Sequence, residues 1–480
     1  MTIKYILIIC VVLTGFRVHS QSSGDFPKNN VVPSAEQIAY QKMEVIGFIH
    51  FGVNTFTDRE WGTGTEDPKI FNPSSLDVNQ WVSSAKKAGM GMLIITAKHH
   101  DGFCLWPSEY TDHSVASSPW EDGKGDIVKD LSEACAMEGI KMGIYLSPWD
   151  MHEPLYGTDS YNQYYLNQLR ELMNNYGTIS EVWMDGAKGK NVKDMEYDFE
   201  KYRSTIYELQ PGALIFSDAG PDIRWIGNEH GIAGKTNWSM LVKDDIQIGK
   251  ADTDYLNTGD PDGTSWVVGE CDVSIRPGWF YHAAQDSKVK SAAKLTDLYY
   301  KSVGRNGTFL LNIPPDKRGL WHENDVQELI EFKSILDETF SNNLALNKKV
   351  IVSGTWNAEE KYQAANITDE DMSSFWAASE DEEILVITIE LGRKEEFDRI
   401  MLQEPIGYGQ RISAFSIEVK SGKKWKQVAE GTTIGYKRLL RINKIKSDEL
   451  RIQLTSYNNT PAISNFGLYL ASERETVIKE

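Results

Sequence analysis

The chain has 480 residues, enough for two or three domains, and its 41% apolar and 25% charged content is that of an ordinary globular protein. A formal net charge of −19 excludes nucleic acid and anionic membrane surfaces as partners, because both require a basic face. Acidic substrates are disfavoured on the same ground, whereas neutral ones are unaffected.

In chain order, residues 1–20 stand apart. Lys4 precedes the apolar run Tyr5–Leu13, and Val18-His19-Ser20-Gln21 puts small residues near a cleavage point. This reads as a secretory signal peptide, too short to cross a bilayer and without a stop-transfer sequel. The mature protein is therefore expected in the periplasm or outside the cell, with no membrane partner after cleavage. Cys104, Cys135 and Cys271 remain. They are too few for a disulfide scaffold and lack CxxC spacing, so they read as buried small hydrophobes.

Over residues 21–340, strand-like runs alternate with amphipathic stretches. The strands are expected at Val45–Gly52, Met92–His100, Lys141–Pro148, Glu181–Gly186, Ala213–Gly220, Trp266–Ile275 and Gly307–Pro315. Helical patterns occupy Val78–Ala88, Ile127–Met137, Tyr161–Tyr176, Met195–Leu209 and Ser291–Val303. Repeated βα units predict an α/β fold, a distorted (β/α)8-like barrel whose eighth strand is irregular or absent, or failing that a doubly wound sheet. Long polar and aromatic loops follow the first three strand ends, where such barrels build active sites. After Phe340 the polar break Ser341-Asn342-Asn343 leads into short alternating runs: Lys349–Ser353, Ile384–Leu391, Arg399–Glu404, Ala414–Lys420, Lys437–Ile442 and Glu449–Leu454. They predict an antiparallel β-sandwich of the jelly-roll, galactose-binding-like kind over residues 341–480.

Four clusters end barrel strands or follow them closely. They are His50-Phe51-Gly52 with Trp61 and Glu66; His99-His100-Asp101-Gly102-Phe103; Trp183 with Asp185; and Trp225-Ile226-Gly227-Asn228-Glu229 together with Glu270-Cys271-Asp272 and Arg276 through Phe280. Trp183 and Asp185 are two apart, so on a strand they share a face. An indole beside a carboxylate suits a sugar ring; the alternative is that Asp185 only caps the following turn. His99 and His100 are adjacent and lack the i, i+2 or i, i+4 spacing of metal ligands, so neutral imidazoles bonding sugar hydroxyls fit better than a catalytic metal. GxSxG, GxGxxG and Walker patterns are all missing. A rim of tryptophan, histidine and carboxylate is the equipment of glycoside hydrolysis.

These segments, with Trp183-Met184-Asp185-Gly186 and Trp279-Phe280-Tyr281, resemble the signature segments of the α-L-fucosidases of glycoside hydrolase family 29, across roughly residues 35–340. The resemblance implies a retaining exo-hydrolase of terminal α-L-fucose that uses no metal or other cofactor, with Asp185 as nucleophile. The segment around Glu229 resembles that of the branch acting on α-1,3 and α-1,4 linkages of branched, Lewis-type glycans. It implies Glu229 as acid/base, with Glu270 as the alternative. His50, Glu66, His99, His100 and Tyr145 would line the fucose pocket, with Trp61, Trp183 and Trp279 packing nearby and Arg276 completing the substrate-binding set. A fucosylated oligosaccharide or glycoconjugate is the expected partner; the oligomeric state is open. Asn343–Lys348, Ile367-Thr368-Asp369 and Phe375-Trp376-Ala377 resemble a coagulation factor 5/8 type C, discoidin-like module. Some such modules bind galactose-type glycans and hold structural calcium, for which Asp369 and Asp371 are the candidates, but here a buttress is favoured over sugar capture. The competing readings are a broad-specificity fucosidase or hydrolase of another small sugar, a non-catalytic fucose- or galactose-binding protein, and a metal-dependent hydrolase.

Overall fold

The computed structural model describes residues 24–475 apart from 191, 244, 245, 247, 251 and 380–384, so the signal-like segment and Ile384 lie outside the described residues. Eight parallel strands close a barrel: β1 (Val45–Ile49), β2 (Met92–Lys98), β3 (Lys141–Leu146), β4 (Glu181–Trp183), β5 (Leu214–Ser217), β6 (Ile223–Trp225), β7 (Val268–Ser274) and β8 (Thr308–Asn312). Seven of them fall within the predicted runs. β6 is the irregular eighth, and its central residue explains why it carries no apolar signature. Arg224 is fully buried, with its guanidinium donating to the carbonyls of Leu256, Val267 and Trp238 and to Asn237 Oδ1.

Helices at Val78–Lys87, Ile127–Glu138, Phe199–Leu209 and Ala292–Lys301 begin at Asp77, Asp126, Asp198 and Ser291, whose side chains each accept the N–H three residues on. Helix Glu323–Phe340, absent from the predicted set, buries Leu329, Phe332, Ile335 and Leu336 and ends at the domain boundary. Inside the barrel the side chains form their own core, in which Phe48, Tyr145, Trp183 and Phe216 meet. That core is the floor of the functional site.

In the C-terminal domain, runs predicted as separate strands are continuous. β10 (Leu385–Gln403) joins two of them and β13 (Arg438–Tyr457) joins two more, after β9 (Lys349–Val352), β11 (Ile412–Ser421) and β12 (Lys424–Gly431); β14 (Asn465–Tyr469) closes the set. β10 and β13 pair antiparallel with breaks in register after Glu390 and after Phe397, so the long ribbon bends there instead of ending. Its first half pairs with β9 and its second with β14, and both halves turn Ile387, Ile389, Ile400 and Leu402 into one apolar core. Asp369 and Asp371 sit in an exposed turn, where Asp369 accepts from Asp371 N and Ser374 Oγ while Asp371 accepts from Ser373 N and Oγ.

Barrel and sandwich are joined by buried polar contacts. Asn306 Oδ1 accepts from Tyr436 N (2.7 Å), Gln410 bonds both Asn237 O and Ser239 N, and Arg441 pairs with Asp297 at 2.7 Å. Glu404 organises the sandwich side of this seam by accepting N–H bonds from Arg411 (2.8 Å), Ile412 (3.0 Å) and Gly435 (2.6 Å); burial nonetheless pushes its carboxyl up to about 7. Glu404→Ala would orphan three buried donors at ~1–3 kcal/mol each. A loss of about 3 kcal/mol or more in urea unfolding is expected, and an unchanged midpoint would refute this role.

Candidate active site

A cavity of about 450 Å³ opens at the C-terminal ends of the barrel strands, and its wall includes His50, His99, His100, Tyr145, Trp183, Asp185, Glu229 and Trp279. The strand ends explain why these side chains converge: alternate residues at and just beyond the C-terminal ends of the parallel strands face the barrel mouth, while Met184, Ile275 and Ile313 turn into the surrounding core. Asp185 lies two residues beyond the end of β4, with its side chain 21% exposed. Its Oδ2 accepts from Tyr145 Oη at 3.0 Å and its Oδ1 from Ala187 N at 2.7 Å. Burial raises its pKa, while those two donors work against the shift by favouring the anion. Gly186 leaves room for Asp218: a Cβ there would stand 2.7 Å from Asp218 Oδ2 and displace that carboxylate.

The three imidazoles are buried and neutral. Burial takes His50 and His100 down to about 3 and His99 well below its usual range. His50 Nδ1 donates to Asn312 Oδ1 at 2.9 Å, so its Nε2 is left as an acceptor. Ser147 spends its hydroxyl proton on Trp149 O (2.6 Å), so Ser147 Oγ accepts from His100 Nδ1 (2.7 Å). His100 therefore presents a lone pair at Nε2, 3.6 Å from Asp185 Oδ2. Two acceptors facing each other form a slot for a ligand hydroxyl, which can donate to one of them. His99 stacks on Tyr145 (5.7 Å, 13°) and leaves Nδ1 without a partner.

Glu229 stands at the mouth, exposed on one side and bonded on the other by Trp279 Nε1 at 3.3 Å. Partial burial raises its pKa, and the charge of Asp185 raises it further. The Trp279 segment is itself pinned by Glu60, which accepts from Trp279 N (2.8 Å) and pairs with His282 (2.6 Å). Trp61, 47% exposed, stands edge-on to His100 and Trp149 at the rim. One carboxylate held by donors and a second carboxyl kept toward its acid form thus share a cavity of sugar size, walled by indoles.

A family model described as alpha-L-fucosidase matches residues 28–338. The chain belongs to the α-L-fucosidase family, glycoside hydrolase family 29. A second model, F5/8 type C domain, matches residues 349–467. Alpha-L-fucosidase 1 of Arabidopsis thaliana is 48% identical over 445 residues, covering 92% of this chain and 87% of that one. The crystal structure of SpGH29 superimposes with a TM-score of 0.90 at 42% identity, covering 93% of this chain and all of that one. A Ruminococcus gnavus GH29 fucosidase in complex with fucose gives a TM-score of 0.86 at 37% identity, with 94% and 97% covered.

The enzyme departs from the sequence-based site in three places. Glu270, the alternative acid/base, is fully buried beneath the cavity and outside its wall, accepting from Trp183 Nε1 and Tyr40 Oη. Arg276 is also outside the wall: its Nε pairs with Asp325 and its Nη1 with Asp286 (2.8 Å each), and its guanidinium lies over the Tyr281 ring. Glu66 packs behind the wall, beside Asp101, and accepts from Thr63 N and Oγ1; burial alone would raise its pKa, but the Thr63 bonds hold it low. Conversely, Phe48, Phe216 and Asp218 line the cavity without having been selected, and Asp272, named in the fourth cluster but given no role, lines it too. Asp218 ends β5 as Asp185 ends β4, so the same strand-end rule would have found it. Asp272 follows Glu270 at strand spacing and accepts from Trp225 Nε1 at 3.0 Å; burial, then the neighbouring charges of Glu229 and Glu270, drive its carboxyl well up.

Proposed function

We propose that the enzyme is a retaining exo-α-L-fucosidase in which Asp185 attacks the anomeric carbon while Glu229 protonates the glycosidic oxygen. The fucosyl–Asp185 ester would then be hydrolysed by water that the Glu229 carboxylate deprotonates, returning the glutamic acid. The observation that carries this reading is the pairing within one cavity wall. Asp185 is anchored as an anion by Tyr145 and Ala187, and Glu229 is held toward its acid form with Asp185 as the charge it faces. Neutral His50 and His100, each with an acceptor Nε2, supply partners for sugar hydroxyls without adding positive charge near the nucleophile.

For substrate we propose α-1,3- or α-1,4-linked fucose on branched, Lewis-type glycans, resting on the segment Trp225–Glu229 and on the open, indole-lined mouth. The R. gnavus relative is described in complex with fucose, which supports the same sugar here. Export to the periplasm or the medium is proposed from residues 1–20. Hydrolysis of a Lewis-type trisaccharide is expected to exceed that of an α-1,2-fucosyl disaccharide by at least about tenfold in kcat/KM. NMR of the early reaction should show α-L-fucose as first product; first-formed β-fucose would reject retention, and a preference for the disaccharide would reject the linkage.

A further inference from the structure

Beneath the cavity the barrel buries two carboxyls that the proposed chemistry leaves idle. Glu181, Trp183 and Asp185 succeed one another at strand spacing along β4 and its end, so they form a column from the barrel floor to the nucleophile. Glu270, across the barrel on β7, joins that column at the level of the indole. Its Oε1 accepts from Trp183 Nε1 at 2.8 Å, and its Oε2 accepts from Tyr40 Oη, which is itself bonded by Thr308 Oγ1 at 3.2 Å. Both Glu181 and Glu270 are wholly buried, and neither oxygen of Glu181 meets a donor. Burial raises both carboxyls, Glu270 to about 7 and Glu181 well above its ordinary value, the latter also through the charge of Glu270.

Two ionisable groups in a barrel core are expensive compared with packed aliphatic side chains. The bond from Trp183 Nε1 gives a reason for Glu270. The indole lies flat on Phe216 (3.9 Å, 8°) and next to Tyr145 (5.3 Å, 26°), whose hydroxyl donates to Asp185. Stacking fixes the plane of a ring but resists rotation within that plane only weakly, because dispersion is non-directional. An N–H bond to a carboxyl oxygen is directional and resists that rotation.

We propose that Glu270 is a positioning residue: it locks the rotation of the Trp183 indole, and so sets the wall that the sugar meets and the ring against which Tyr145 is braced. The part concerning Tyr145 rests on the reading of Asp185 as nucleophile; the part concerning the wall does not.

The test is a double-mutant cycle on aryl α-L-fucoside hydrolysis, with kcat and KM separated. Glu270→Leu and Trp183→Phe should each lower kcat/KM by roughly 10–100-fold, and the double variant should be no worse than the poorer single, as for one shared interaction. Glu270→Gln, whose amide oxygen still accepts from the indole, should stay within about fivefold of the parent. If Glu270→Leu fails to fold, the cycle of Glu270→Gln with Trp183→Phe carries the test: Glu270→Gln should then cost nothing further in the Trp183→Phe background. Glu181→Gln, one strand step below the indole and without a bond to it, controls for disturbance of the floor and should shift the thermal midpoint more than kcat/KM. Additive losses in the cycle, or a Glu181→Gln loss equal to that of Glu270→Leu, would overturn the proposal. So would azide rescue of Glu270→Ala, which would make Glu270 a proton donor. An Asp185→Asn variant that keeps its activity would instead strike the nucleophile assignment and leave the cycle intact.

Discussion

Asp185→Asn is expected to lower kcat by about 10⁴-fold or more, equivalent to at least ~5.5 kcal/mol of barrier, while the protein stays folded. The loss should be this large because the amide cannot form the fucosyl ester, so the reaction loses its covalent route. Folding should survive, and the sign of the stability change follows from the same pKa. Asp185 is raised above its unfolded value, so its stability contribution is complete below the ordinary carboxylate range, near ~4, and is lost as pH rises through the folded pKa. Near neutrality the buried anion is therefore a cost, and a neutral Asn removes it. A thermal midpoint equal to or above the parent's, together with lost turnover, is the expected pair of results. Azide added to Asp185→Ala should displace the aglycone of an activated fucoside directly and give β-fucosyl azide, by a single inversion. Parental hydrolysis in a folded Asp185 variant would end the assignment.

Glu229→Ala should divide its effect by leaving group. With an aryl fucoside whose phenolate departs without a proton, formation of the fucosyl-enzyme should be nearly spared. Natural glycans, whose leaving oxygen needs the acid, should lose about 10²–10⁴-fold, the usual worth of general acid–base catalysis. Azide should then attack the intermediate from the vacated side and give α-fucosyl azide, the product of two inversions. The pH profile supplies a second reading. The proposed mechanism requires Asp185 ionised and Glu229 protonated, and burial raises both, so both limbs of kcat/KM should lie above the ordinary carboxylate range. Removing Glu229 should abolish the alkaline limb and leave the acid one. An alkaline limb that persists would assign it to another group, of which Asp272, in the same cavity wall and driven up by burial, is the candidate.

Neutral histidines matter to this profile. Were His100 protonated at working pH, its Nε2–H would face Asp185 Oδ2 at 3.6 Å and damp the nucleophile. With its pKa near 3 it stays out of the titration that governs turnover. The acid limb then belongs to the carboxylate rather than to the imidazole beside it.

Periodicity and strand-end position were legible without coordinates. Short apolar runs at βα spacing marked seven of the eight barrel strands, and the residues just past their ends, His50, His99, His100 and Asp185, are those the cavity gathers. β6 was hidden because its centre is an arginine whose donors are satisfied outside the strand, by Asn237, Trp238 and Leu256, 13 to 32 residues on, and no local pattern announces such partners. The long β10 and β13 were read as pairs of strands because polar residues at their bends look like turns; pairing across the sheet overrides that local signal.

Residue type and order alone determined which chemistry this chain carries: carboxylates, indoles and imidazoles at the ends of parallel strands. Tertiary structure alone decided which carboxyls face the cavity. Glu229, Glu270, Asp272, Arg276 and Glu66 look equally polar in sequence. Yet Glu229 reaches the cavity mouth, Glu270 holds an indole from below, and Arg276 is neutralised by Asp325, a contact between residues 49 positions apart. The reason is physical: a side chain's role depends on where its charge is desolvated and by whom it is paired, and both are set by contacts between strands and loops remote in the chain.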